Sequence, residues 1–370
     1  MNKKLLAVAL ATAFAAPAMA EGVTIYGAFD VGVVSRFDGG SGNQTQIASG
    51  MNGHNGIGFK MSEDLGNGLT ISGDAMFGFA LDSSSNTIGH SARSNAGGFS
   101  AIYSYLALSG DFGTLIAGRA GGARAGFIKQ YDPFGGFGVG GALGAYGKLS
   151  GNADYADNVI AYITPEVMPG LKVLAAYTSN LVGQDTTPRA ANTAGLNTAL
   201  YAIAGLYNSG PLSATVAYEN LTLDNGSAAL QTLTGHSNVW TGGASYDFGV
   251  AKVMGLYSYV EQLDRGWQVG ATAPISAGTT AKLSYVSTSL IGPLNGTGST
   301  TCRKIAAGVN HDLSKRTRLY ADVAHLSEDK GSCVAGLNTY GGNYANGEAG
   351  RDNGNGYGKT GVNVGIRHSF

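Results

Sequence analysis

Charge is scarce in this chain. Asp, Glu, Lys and Arg together make up 13% of its 370 residues, about half the share of an ordinary soluble domain. The two signs nearly cancel, 23 basic against 24 acidic residues, which excludes the clustered excess of base that a nucleic-acid footprint requires. There are only 8 prolines and 2 cysteines. Cys302 and Cys333 form no C-x-x-C motif and have no His pair near them, so they do not read as a metal site. In an exported chain an isolated pair reads instead as a disulfide, the alternative being two separate thiols. The six histidines (His54, His90, His236, His311, His325 and His368) are dispersed, with no i, i+4 partners and no G-x-S-x-G beside them. No acid–base–nucleophile constellation follows from them, and the chain reads as a non-enzyme with no cofactor. Gly136–Gly141 matches G-x-G-x-x-G, but no helix pattern follows it and 60 glycines make chance matches easy.

Long apolar runs are also missing. Past residue 20 none approaches the roughly 20 apolar residues of a spanning helix. The stretch before that is shorter: Lys3 and Lys4, an apolar segment Leu5–Ala16, and Ala18-Met19-Ala20. It reads as a cleaved signal peptide over residues 1–20. Its removal would take away two bases and no acid, leaving 21 basic against 24 acidic residues.

What the chain has in abundance is glycine (60), tyrosine (19) and phenylalanine (13), arranged with a period of two. Val362, Val364, Ile366, His368 and Phe370 share one parity, and Gly361, Asn363, Gly365, Arg367 and Ser369 the other. The same alternation recurs in segments of about ten residues, such as Val23–Val34, Gly53–Glu63 and Leu69–Leu81. Period two marks a strand with one apolar and one polar face. About sixteen such segments can be counted. Short turn-rich links alternate with long ones, except for a short connection between Glu261 and Arg265. This predicts a 16-stranded antiparallel transmembrane β-barrel over residues 21–370, with short turns on one rim and long loops on the other. About sixteen strands leave an aqueous channel, whereas eight are filled by side chains.

One long link differs from the rest. Residues 121–155 combine many glycines with Phe127, Tyr131, Phe134, Phe137, Val139, Leu143 and Tyr146. Such an apolar loop does not belong in water. It is expected to fold into the barrel and narrow the pore, the alternative being packing on a neighbouring subunit. Lys60 and Asp74 fall on the lumen parity of their strands. Arg119, Arg124, Lys129, Asp132 and Lys148 lie at or in the loop and suggest a local excess of positive charge at the constriction. Arg119 shares the outward parity of Leu115 and Ala117, so a lumen position requires the chain to bend there. Arg318 and Asp322 flank Tyr320 on one strand face and suggest a lumen ion pair.

The chain resembles the Gram-negative trimeric porins of the β-proteobacterial and neisserial type. The likeness rests on short pieces in order along nearly the whole chain. These include Val23–Gly27, Gly58–Lys60, Glu63–Gly66, Leu108–Gly113, Gly118-Arg119, Asp132–Phe134, Asn158–Tyr162, Ala244–Gly249, Asp312–Thr317 and Val364–Phe370. The resemblance implies an outer-membrane homotrimer whose pore passes small hydrophilic solutes passively. It also implies contact with outer-membrane lipid and lipopolysaccharide, and Phe370 as the signal read by the barrel-assembly machinery. Where the family carries Ser-Arg in its second strand and Asn-Arg-Gln in its fourth, this chain has Asn55-Gly56 and Ala101-Ile102-Tyr103. Two wall arginines are thereby missing, which points to weak selectivity with a modest anion bias. A substrate-selective channel is the alternative, with a barrel adhesin or enzyme behind it.

Overall fold

A computed structural model describes residues 22–37, 43–79, 81–82, 101–142, 155–179, 197–224, 235–261, 264–290, 300–328 and 359–370. The expected signal peptide, Lys148 and Cys333 lie outside the described residues. In chain order the strands are β1 (Gly22–Phe37), β2 (Gln44–Ser49), β3 (Gly56–Gly66), β4 (Leu69–Gly78), β5 (Ala101–Gly110) and β6 (Gly113–Gly121). The helix α1 (Ala123–Gln130) precedes β7 (Tyr155–Ile163), β8 (Leu171–Thr178), β9 (Asn197–Ser209), β10 (Leu212–Asp224) and β11 (Gly235–Asp247). Then come β12 (Lys252–Val260), β13 (Asp264–Ser276), β14 (Thr279–Leu290), β15 (Thr300–Asp312), β16 (Thr317–Glu328) and β17 (Thr360–Ser369).

From β3 to β17 each strand pairs antiparallel with the next, and β17 returns to pair with β1 from Ala28↔Ser369 to Phe37↔Thr360. The sheet therefore closes as the expected sixteen-stranded barrel, which leaves no open edge in lipid. Its short turns carry residues suited to them: Asn67, between β3 and β4, has φ 53°, a region that Asn tolerates better than most residues. The β12–β13 link is three residues long, matching the short exception read from the sequence.

The second wall strand departs from expectation. It is not one segment beginning at Gly53 but two, β2 and β3, both paired to β1. β3 covers Gly22–Ala28 of β1 and β2 covers Val31–Arg36. Residues 50–55 stand opposite only Phe29 and Asp30, so they cannot lie flat in the wall and they leave it as an excursion. Gly50 and Gly53 have positive φ, and Met51 is fully buried.

Alternation sorts the wall as the sequence indicated. Val23, Ile25, Phe29, Leu106, Ile160, Val216, Val269 and Ile305 are exposed on the outside, while Asp30, Asp74, Thr215, Ser258, Gln268 and Asp322 are buried inside. Outward aromatics form two bands. One runs through Tyr201, Tyr218 and Trp240, with ring centroids 6.2 and 4.7 Å apart, and through the Trp267–Tyr285 pair at 5.3 Å. The other follows the short-turn rim, with Tyr246–Phe248 at 4.6 Å and Phe29–Phe370 at 5.7 Å. Two aromatic girdles around an apolar band are the outer surface of a membrane barrel.

Candidate functional site

The link between β6 and β7 folds inward over its described part, 122–142. Helix α1 has no amphipathic pattern, and all but its last two residues are covered. Ala123–Ile128 are buried, and the helix packs on β10, β11 and β12. Arg124 fixes its start: its guanidinium donates to Ser258 and to Asp264, each at 2.7 Å, and its backbone N–H bonds to Glu219. Tyr131 fixes its end. The ring lies where a side chain on Gly243 would stand, and the hydroxyl reaches Thr215 at 3.0 Å. Gln268 donates to the Tyr131 carbonyl at 2.7 Å.

The chain then crosses the lumen face of β13–β17 in tight turns. Asp132 accepts backbone N–H bonds from Phe134, Gly136 and Ala142 at 3.1, 2.8 and 2.7 Å. Burial pushes its carboxyl above the ordinary range, opposed by those three N–H groups and by the charge of Lys304. Phe134 lies beneath Lys282, whose Nζ is 4.4 Å from the ring centre. Lys304 donates to the Gly141 carbonyl, and the Val139 N–H donates to Asn363 at 2.8 Å. The loop meets the 50–55 excursion at Gly138, which sits against the Met51 carbonyl.

That excursion is anchored on Asp30. The Asn52 N–H and the Tyr320 hydroxyl each donate to the Asp30 carboxylate at 2.6 Å, and Asn55 donates to its carbonyl at 3.0 Å. Arg367 stands 3.8 Å from the same carboxylate and donates to the His54 carbonyl at 3.2 Å. His54 turns its ring to Phe137 of the loop, edge-on at 5.0 Å, and to the Tyr155 hydroxyl at 2.9 Å. Two inward segments, not one, therefore narrow the lumen.

The residues singled out from sequence fall into separate places. Lys60 and Asp74 face the lumen together, 3.8 Å apart, with Tyr26 donating to Asp74 and Lys60 lying 4.7 Å over the Tyr26 ring. Arg119 sits where the β6–β7 register shifts between Gly118 and Ala120, and Gly118 has φ 136°. It ion-pairs with Asp157 and lies over the Tyr155 ring at 5.6 Å. Lys129 is half-buried over Phe137 and Tyr155, at 5.6 and 5.4 Å. Two expectations need correction. Arg124 and Asp132 do not line the water path: both are buried, one holding the helix to the wall and the other holding the loop to itself. Their charges do not add to a positive constriction. Nor do Arg318 and Asp322 pair with each other. Arg318 binds Asp312 at 2.6 Å, and Asp322 binds Lys282 at 2.7 Å. The reason is Gly308, which lies in register between Lys282 and Asp322 and lets their side chains meet across β15. The sequence does not single out Arg367, Lys282 or Lys304. The parity of their strands places them in the lumen, but parity does not say which acid each would meet.

A closed barrel with an aromatic girdle at each rim and an inward loop across its lumen is an outer-membrane channel. The Gram-negative porin family model matches residues 7–331. The chain is 31% identical to outer membrane porin protein 32 of Delftia acidovorans, over the whole of both chains. Among solved structures it is similar to the anion-selective porin from Comamonas acidovorans, at TM-score 0.72 and 26% identity, covering 95% of this chain and all of that one. OmpT of Vibrio cholerae, described as a trimer form, shares the fold at TM-score 0.63 and 16% identity, covering 95% of this chain and all of that one. The chain belongs to the Gram-negative porin family, and it forms a porin channel in the outer membrane.

Proposed function

We propose that the channel passes small hydrophilic solutes by passive diffusion with a weak anion bias. The observation behind this is the unequal exposure of partners in two lumen ion pairs, Lys60–Asp74 and Arg367–Asp30. The Lys60 side chain is 42% exposed and that of Asp74 4%. Arg367 is 23% exposed and Asp30 0%. Of the other described wall acids, Glu219, Asp264 and Asp322 are buried, and Asp157, 28% exposed, is matched by Arg119 at 25%. Water in the passage therefore meets bases more than acids, and charge lining a constriction biases which ions enter. The bias is weak because each of these bases has an acid beneath it. Reversal potential across a planar bilayer in a KCl gradient tests this. A potential of the anion-preferring sign supports it, and strong cation preference contradicts it.

Several companion readings belong with this one. The lumen is non-catalytic: Asp30, Asp132 and Asp264 are engaged in holding wall and loop together. The assembly is a homotrimer, in keeping with the family resemblance, and residues 1–20 are a cleaved signal peptide. Cys302 is disulfide-bonded, and Cys333, the one other cysteine of the chain, is taken as its partner. Phe370 exchanges backbone hydrogen bonds with Gly27 at 3.0 and 3.2 Å, in keeping with a closing residue recognised during assembly.

A further inference from the structure

We propose that the constriction holds a weak binding subsite for small aromatic carboxylates, a benzoate-sized ring bearing one negative charge. The proposal rests on the channel reading above and names a solute class for it.

The rings of this loop and wall divide in two. Phe127, Tyr131 and Phe134 are buried and serve as packing. Tyr26, Tyr103, Tyr155 and Phe137 are half-buried and border the passage. These four form a near-continuous series. Tyr103 and Tyr155 have centroids 6.0 Å apart, and His54 links Tyr155 at 5.9 Å to Phe137 at 5.0 Å. Tyr26 joins through its hydroxyl, 2.8 Å from that of Tyr103. Tyr26 spends its proton on Asp74, so Tyr103 is the donor between the two. The Tyr155 hydroxyl is engaged with His54. With these hydroxyls engaged and the rings held in place, what the series offers a passing solute is chiefly aromatic surface.

Cations stand along the same series. Lys60 lies at one end over Tyr26, and Lys129 at the other over Phe137 and Tyr155. The acid nearest to Lys60, Asp74, is buried behind it. A solute with a flat ring and one carboxylate can place the ring against Tyr103 or Tyr155 and the charge toward an ammonium. A neutral ring gains only the first contact, and an aliphatic carboxylate only the second. The polar lumen face under the loop, from Lys282 to Asn363, pairs charges with no comparable ring series among the described residues. The subsite is therefore local to β1, β3, β5, the start of β7 and the loop tip.

The test uses the full-length mature protein in a planar bilayer bathed in KCl. Benzoate or cyclohexanecarboxylate is added, and the concentration that halves the chloride current is read for each. The two have the same charge and similar size, and the saturated ring is the more hydrophobic. Half-block by benzoate is expected at a concentration lower by roughly threefold or more, the scale of an aromatic pairing preference. The difference should shrink in Tyr103→Leu and in Tyr155→Leu. Equal half-block by the two acids in the unaltered channel overturns the proposal, as does a benzoate preference that survives both substitutions. If either variant fails to assemble, the unaltered channel decides on the first comparison and Lys60→Gln on the second, since it should weaken block by both acids. Reversal potential in KCl alone, read in the same bilayers, reports on the anion-bias reading separately.

Discussion

The ring of Tyr26 lies over Gly58, in the space that a side chain at that position would fill. Because β3 offers no side chain there, a tyrosine on β1 reaches across it to Asp74 on β4 and Tyr103 on β5. Gly308 serves Lys282 and Asp322 in the same way. Glycines on the lumen face thus let groups two strands apart meet, and they hold the pore lining flat against the wall. In Gly58→Ala the ring must lift into the lumen. Overpacking of this kind costs about 1–3 kcal/mol. The unfolding temperature, followed by the heat-dependent mobility shift on a gel, should fall, and single-channel conductance should fall with it. Unchanged conductance would mean that Tyr26 finds room without moving into the passage.

Selectivity should follow exposure and not the count of charges in the loop. Lys60→Glu replaces an exposed base beside a buried acid, so the reversal potential should move toward cation preference. Arg124→Met removes a base of equal charge that no passing ion meets; it strands Asp264 and should cost stability, but it should move the reversal potential much less than Lys60→Glu does. The Lys60 effect should also depend on salt. Charges are screened over about 10 Å at 0.1 M and about 3 Å at 1 M, so the shift should be larger at the lower concentration.

The contrast between those two residues shows what the sequence could and could not reveal. Period-two alternation places nearly every wall strand, and parity sends Lys60 and Asp74 to the lumen, because a strand has only two faces. The break at residues 50–55 was hidden. Gln44–Ser49 reads like any polar link, and its role as a strand depends on the free upper edge of β1. The loop charges were misread for a related reason. Arg124 sits in a chain segment with no periodic pattern, and its burial is decided by Ser258 and Asp264, more than 130 residues away in sequence. Long-range pairing of that sort leaves no local signal. The partner of Asp322 was misassigned because the nearest base in sequence, Arg318, is not the nearest base across a glycine.

Cys302 faces the lumen at the long-loop end of β15. Alkylation without reductant should add no label to the folded protein, and alkylation after reduction should add two. Two labels without reductant would refute the bond. A disulfide closing a loop of this span stabilises by about 2–4 kcal/mol. Cys302→Ser should therefore lower the unfolding temperature, while the barrel wall, held by its strand pairing, still forms.

The Arg124–Asp264 pair gives the sharpest separation between holding the loop and charging the pore. Both side chains are nearly inaccessible, 7% and 4% exposed, and Ser258 accepts a further bond from the guanidinium at 2.7 Å. Removing one partner strands the other in a buried place, which costs about 3–5 kcal/mol. In Asp264→Ala the least costly escape is for α1 to swing off the wall and carry Arg124 to water. The constriction then loosens, so single-channel conductance should rise and the open-channel current should become noisier. Replacing both residues by apolar ones of similar volume, Arg124→Met with Asp264→Leu, together with Glu219→Gln, which would otherwise lose the charge of Arg124, leaves no stranded charge and should restore much of the lost stability. If conductance rises as much in this combined variant as in Asp264→Ala, the ion pair itself holds the loop. If it returns toward the unaltered value, packing of Phe127, Ile128 and Tyr131 against the wall suffices once no charge is left stranded.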